Sequence, residues 1–189
     1  MTINCYKTKK GLEIEVAQTP LPFAEPLKAI FENLDHHKGA LFSSGLDYPG
    51  KHSRWDIGFI NPAIEFISRK KNFYFNALNE QGEAILPIFK KELIDHFHVE
   101  SIGLANNSLE GKIKSQETFF TEEERSRQPS IFSILRATVE LFFSEDPLAA
   151  HLGFYGAFGY DLVFQFEEIN LKHTRDENYS ADCHLFLPL

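Results

Sequence analysis

Leu12, Ile14 and Val16 alternate with Glu13 and Glu15, the period of a strand with one buried face. Residues 4–8 precede it across the turn Lys9-Lys10-Gly11, so the pattern predicts a hairpin. Pro20 and Pro22 interrupt it. Phe23, Leu27, Ile30, Phe31 and Leu34 then recur at the spacing of one helical face, and His36-His37-Lys38-Gly39 brings the basic groups and glycine that suit a helix C-terminus. Residues 40–43 and 55–60 read as the next strands, with Asn61-Pro62 closing the second. Residues 63–68 and 73–78 flank Arg69-Lys70-Lys71-Asn72 and predict another antiparallel hairpin.

Over residues 83–97, Ile85, Ile88, Phe89, Leu93 and Phe97 fall at helical spacing, with Pro87 expected in the first turn, where its missing N–H costs nothing. The pattern weakens over 101–120, which reads as mobile with a short strand at 109–113. Thr121 and Glu124 form a capping box. After Pro129, residues 130–143 are apolar on almost every side, which predicts a helix enclosed between layers. Residues 151–160 interleave Gly153, Gly156 and Gly159 with aromatics, and glycines in a strand point to close approach of another backbone or a ligand. Asp161 is expected to cap a short helix through Glu167. A polar stretch, 172–180, leads to the strand-like run 183–189. Stopping in such a run is read as truncation of a longer protein. Because the strands come in hairpins rather than βαβ units, the fold class is α+β, mainly antiparallel sheet layered with helices.

Composition bounds the function. With 189 residues, 43% hydrophobic and 14% aromatic, the chain can bury a real core. Nineteen Lys and Arg against 27 Asp and Glu give −8, which supplies no field for nucleic acid or an anionic membrane. No apolar run approaches the roughly 20 residues a membrane helix needs. Cys5 and Cys183 lie far apart without metal-type spacing, and no signal peptide is visible, so a reduced, cytoplasmic protein with free thiols is expected.

Common cofactor and hydrolase motifs are absent: the three glycines do not make G-x-G-x-x-G, and neither a Walker sequence nor G-x-S-x-G occurs. Asp95-His96 and His98 lack a third ligand at metal spacing and read as exposed titratable groups rather than a metal site. Arg69-Lys70-Lys71 reads as a solvated turn, and Trp55 as a core anchor. The stretch 41–59, LFSSGLDYPGKHSRWDIGF, is richer. The hydroxyls of Ser43 and Ser44 at a strand end, with Arg54 one loop away, suit the ammonium and carboxylate of an amino acid, because Arg pairs carboxylates in a bidentate way. An ordinary surface loop is the competing reading.

LFSSGLDYPGKHSRWDIGF resembles the segment of chorismate-utilising enzymes in which a Leu-Leu-Glu-Ser strand end precedes an Arg-Tyr-Ser strand. GFYGAFGYDLVFQFE is similar to their G-x-x-G-Y-D strand and helix. With FTEEERSRQPSIFSILRATVELFFS between them, nearly the whole chain resembles the N-terminal region of anthranilate synthase component I, especially the form fused to its glutamine amidotransferase.

The resemblance implies a parent enzyme that converts chorismate and glutamine-derived ammonia to anthranilate and pyruvate, using Mg²⁺, with tryptophan as feedback inhibitor. Residues 1–189 would be its N-terminal regulatory domain. The chorismate-binding catalytic domain would lie outside them, leaving the stretch without catalytic residues or activity of its own. Ser44 then matches the inhibitor-contacting serine and Arg54 the basic residue of the following strand. Ser43 stands where many members carry glutamate, though the fused form also reads Ser-Ser. Implied partners are tryptophan, the catalytic domain and the amidotransferase. Two alternatives stay open: the corresponding region of aminodeoxychorismate synthase, and a stand-alone small-molecule binding domain.

Overall fold

The computed structural model describes residues 1–22, 24–44, 56–115, 128–167 and 181–189, and of residues 24–26 the backbone only. The capping box at Thr121–Glu124 and Trp55 lie outside the described residues.

In chain order the elements are β1 (Thr2–Lys7), β2 (Glu13–Gln18), α1 (Ala24–Asn33), β3 (Gly39–Ser43), β4 (Asp56–Ile60), β5 (Ile64–Arg69) and β6 (Asn72–Ala77). There follow α2 (Glu80–Leu93), β7 (Val99–Ala105), β8 (Ser108–Ile113), α3 (Ile131–Glu140), β9 (Tyr155–Phe158) and β10 (Cys183–Leu187), with 3-10 turns Pro147–His151 and Tyr160–Gln165 on either side of β9. Among the described residues, six strands form one sheet in the order β7-β8-β6-β5-β10-β9, every neighbouring pair antiparallel. The hairpins β1–β2 and β3–β4 are separate two-stranded ladders. The expected α+β class, mainly antiparallel, is what the chain adopts.

Period-two alternation divides the large sheet into two faces. Ile64, Phe66, Phe73, Phe75, Leu109 and Leu185 are fully or almost fully buried, with Leu86, Phe89 and Leu93 of α2 and Ile131 and Ile134 of α3. Phe75 lies with its ring centroid 4.7 Å from Phe66 and 5.0 Å from Phe89, joining sheet to helix. Each such ring taken out of water stabilises the fold by about 1.5–3 kcal/mol.

Several expectations are corrected. α2 begins at Glu80 rather than 83, because the Asn79 side chain accepts a hydrogen bond from the Gly82 N–H at 3.0 Å and starts the helix earlier. Pro87 therefore lies in the helix interior, where burial of Leu86, Phe89 and Leu93 outweighs the lost backbone bond. The short strand expected at 109–113 is β8, but the residues before it are not mobile loop: β7 pairs with β8, with an irregularity between Val99 and Ser101, across a turn in which Asn106 takes φ 49°, a left-handed conformation asparagine tolerates.

α3 does not bury every side, since Arg136 is exposed and Val139 remains 41% accessible, as does Phe143 beyond its end at 52%. Its first N–H, on Ile131, donates to Gln165 Oε1 at 3.0 Å, so a side chain from a later turn satisfies the helix start. Leu27 and Ile30 of α1, and Leu34 just after it, are half-buried, but Phe31 points outward at 71% exposure. α1 packs on the β3–β4 hairpin at Gly58, where an added Cβ would come within 2.9 Å of Ile30 Cδ1.

Candidate functional site

The stretch singled out in the sequence forms β3, β4 and the connection between them. Antiparallel pairing sets Gly39 opposite Ile60 and Ser43 opposite Asp56, the last paired rung at that end of the ladder. There the Ser43 hydroxyl donates to Asp56 Oδ1. Alternation places this pair on the side of the hairpin that carries Leu41 and Gly58, the side α1 covers. Ser44 follows immediately and is half-buried. Ser43 and Ser44 stand together at one strand end, and Arg54 lies outside the described residues.

The other side of the hairpin meets the second landmark. Rings of Phe42 and Phe59 lie 6.2 and 5.9 Å from Tyr155 in β9, and Phe59 also lies 6.1 Å from Phe186 in β10. Two stretches a hundred residues apart in sequence thus make one aromatic contact. The Tyr155 hydroxyl donates to the His151 carbonyl at 2.5 Å, and burial pushes its pKa up. β9 lies close to β10 because residue 156 is glycine: a Cβ there would be 2.2 Å from the His184 carbonyl oxygen. The expected close approach therefore holds at Gly156 and, less tightly, at Gly159, whereas Gly153 meets nothing within 4 Å. Gly159, not Asp161, takes the cap position of the 3-10 turn Tyr160–Gln165; the short helix needs no side-chain cap there.

At the opposite end of the hairpin sits a buried carboxylate. Glu65 Oε1 accepts from Lys38 Nζ at 2.8 Å and lies 3.0 Å from His184 Nε2, while Asn76 donates to Oε2 at 3.4 Å. Burial alone would raise the Glu65 pKa, but the hydrogen bonds and charges of Lys38 and His184 outweigh it and hold the carboxyl below its usual range. Lys38 immediately precedes β3, so this pair ties the hairpin to the sheet.

Sequence reasoning missed Asp56, Tyr155 and Glu65. The signal for Asp56 is the hairpin register, which sets it against Ser43; that for Glu65 is a lone carboxylate inside an apolar strand, which requires a partner.

Among the remaining candidates, His96 and His98 have rings 5.6 Å apart, and no group of three metal-ligating side chains converges among the described residues. His98 is not the exposed group expected. It is buried, with Nδ1 2.8 Å from Ser133 Oγ, and burial chiefly lowers its pKa, with His96 and Lys114 adding to the effect. Arg69 and Lys70 are exposed in the β5–β6 turn, as expected. Cys5 is exposed and free; Cys183 is free and buried, its thiol pushed up to about 12 by burial and by Asp182. No helix among the described residues is long and apolar enough to cross a membrane.

The chain is 36% identical over 184 residues to a protein of Azospirillum brasilense named anthranilate synthase, covering 97% of this chain and 24% of that protein. The chain resembles part of anthranilate synthase. Anthranilate synthase component 1 of Buchnera aphidicola is 25% identical over 168 residues, 88% of this chain and 32% of its own length. That of Vibrio cholerae is 26% identical over 168 residues, 85% of this chain and 30% of its own length. The similarity expected from the two motif stretches is thereby established over nearly the whole chain, which spans about a quarter to a third of these anthranilate synthases. No family model matches it.

Proposed function

We propose that the chain is the N-terminal, tryptophan-binding regulatory region of an anthranilate synthase, and that the reacting centre lies in polypeptide outside these 189 residues. The observation that carries this reading is the 36% identity across 97% of the chain. The contact of Phe42 and Phe59 with Tyr155 supports it, because the two stretches that resemble the family are assembled into one unit. The first relative is the longer protein, since a similar aligned stretch fills a smaller share of it, 24% against 32% and 30%. That fits the form fused to a glutamine amidotransferase.

In this reading the parent enzyme converts chorismate and glutamine to anthranilate, pyruvate and glutamate in the cytoplasm, in tryptophan biosynthesis. The described residues offer no converging ligand set for Mg²⁺, which would be held by the chorismate-binding part and would there stabilise anionic groups of the substrate. What these residues contribute is recognition. Ser44 contacts the inhibitor, and Arg54 pairs its carboxylate. Ser43 and Asp56 together receive its ammonium, Asp56 standing across the ladder from the position where many members have glutamate. Tryptophan inhibits to the extent that it binds one arrangement of the regulatory and catalytic parts better than the other.

The test is Ser44→Phe in the full-length enzyme, where the added ring fills the inhibitor position. Anthranilate formation in the absence of tryptophan is expected to persist and inhibition to fall at least tenfold; full retention of inhibition would sink the reading. The 189-residue chain alone is expected to bind tryptophan weakly or undetectably by calorimetry, because part of the pocket belongs to the remaining polypeptide.

A further inference from the structure

Outside the β3–β4 hairpin, the connection from α2 to β7 turns at His96, Phe97 and His98 and is seated on α3. Phe97 is 70% exposed, whereas His98 beside it is buried with Nδ1 2.8 Å from Ser133 Oγ of α3. Two backbone bonds fasten the turn: the Val99 N–H donates to the His96 carbonyl at 2.9 Å, and the Lys114 N–H to the His98 carbonyl at 2.9 Å. A third bond depends on protonation. The His98 N–H donates to His96 Nδ1 at 3.3 Å, and an imidazole nitrogen accepts only through a lone pair, so His96 Nδ1 carries no proton in this arrangement. The seated turn therefore needs a neutral His96.

His98 is kept neutral by its surroundings. Its ring lies 5.6 Å from that of His96, and burial, His96 and Lys114 all push its pKa down. No carboxylate among the described residues acts on it. Glu92 of α2 and Glu140 of α3 act on His96 instead, where they oppose the lowering by burial, and Glu92 is also bound by Lys10 of the β1–β2 turn at 2.8 Å.

We propose that His96 and His98 form a proton-operated latch, which holds the α2–β7 connection against α3 when both rings are neutral and releases it when they are protonated. A proton on His96 Nδ1 removes the acceptor of the His98 N–H, while the charges of Glu92 and Glu140 favour the imidazolium so formed. A proton on His98 puts a cation into a dry contact beside two basic groups, and the way out is short because the turn lies at the surface. The rings are close enough to titrate as a pair. Their folded values lie below the ordinary 6.5, so the seated form has its full stability above that pH and loses it as pH falls toward the lower folded values. Because the Ile131 N–H still donates to Gln165, α3 stays attached at its start and the opening is local.

The test follows amide exchange in the 189-residue chain between about pH 7.5 and pH 5.5, corrected for intrinsic exchange rates, beside NMR titration of the histidine ring protons. Exchange over residues 134–138 of α3 is expected to rise about tenfold on acidification, with residues 86–89 of α2 changing by less than about twofold. His98→Gln, which cannot titrate and keeps a polar group for Ser133, should abolish the rise, and His96→Gln should reduce it severalfold. No rise in the wild type, an undiminished rise in His98→Gln, or an equal rise in α2 and α3 would overturn the proposal. Should His98→Gln fail to fold, the wild-type titration decides: both rings titrating below 6.5 supports the latch, and His98 titrating at or above 6.5 overturns it.

Discussion

The two faces of the six-stranded sheet are built on different principles. The face under α2 and α3 is a dry layer of Phe66, Phe73, Phe75, Leu109 and Leu185 with almost no solvent contact. The face under the β3–β4 hairpin carries Glu65 and His184 beside Phe186, with Tyr155 at its edge, and the hairpin's own strands are only half-buried. One face is held by close-packed area; the other by an ion pair and a few ring contacts. A cover attached in the second way opens more easily than one attached in the first, because surface-linked contacts have a lower local unfolding free energy than a fully buried core. The hairpin that carries the proposed recognition site is therefore the element best placed to shift without loss of the fold.

Substitutions that separate the two faces should differ in size. Phe75→Ala leaves a cavity between Phe66 and Phe89 and is expected to cost about 3–5 kcal/mol in chemical denaturation. A loss below about 1 kcal/mol would show that the helix-covered face is not the structural core.

Glu65→Gln should cost less, about 1–2 kcal/mol, because Lys38 and His184 are half-exposed and regain water when released. Its pH dependence is distinctive. Glu65 has a folded pKa below its usual 4.5, so its contribution is fully present above that value and is lost as pH falls through the lower folded value. Wild type and Glu65→Gln should therefore converge in stability on acidification below about pH 4.5, measured by denaturation at a series of pH values. A constant difference down to pH 2 would remove the ionised carboxylate from the picture.

The smallest effect is expected from Tyr155→Phe, which keeps the ring against Phe42 and Phe59 and removes only the bond to the His151 carbonyl. The cost should be about 0.5–1.5 kcal/mol, read from the shift in denaturation midpoint. A larger loss would mean that the hydroxyl, not the ring, fixes the hairpin.

Much of this division was legible in the sequence. Apolar runs in hairpin spacing announced β5 and β6, and the alternation of Leu12 to Val16 announced β2, because each pattern is local. What escaped depended on distant partners. The start of α2 turns on Asn79 bonding Gly82, and β7, unlike β8, has a polar alternation that looks like loop until it is paired with the strand carrying Leu109 and Ile113. At the candidate site, Ser43 and Ser44 stood out by type and position. Asp56 did not, because only the register that sets it opposite Ser43 gives it a role. The exposure of Phe31 is likewise invisible to periodicity, which marks a face as apolar without saying how wide its cover is.

The recognition claim is tested most directly by inhibition of the full-length enzyme with tryptophan and with indole-3-propionate, which lacks the ammonium group, in wild type and in Asp56→Asn. Wild type should prefer tryptophan strongly, and Asp56→Asn should lose that preference by about tenfold, the equivalent of about 1.4 kcal/mol, while its inhibition by indole-3-propionate stays unchanged. If Asp56→Asn kept the wild-type preference for tryptophan, the end of the β3–β4 hairpin would not be where the ammonium is received.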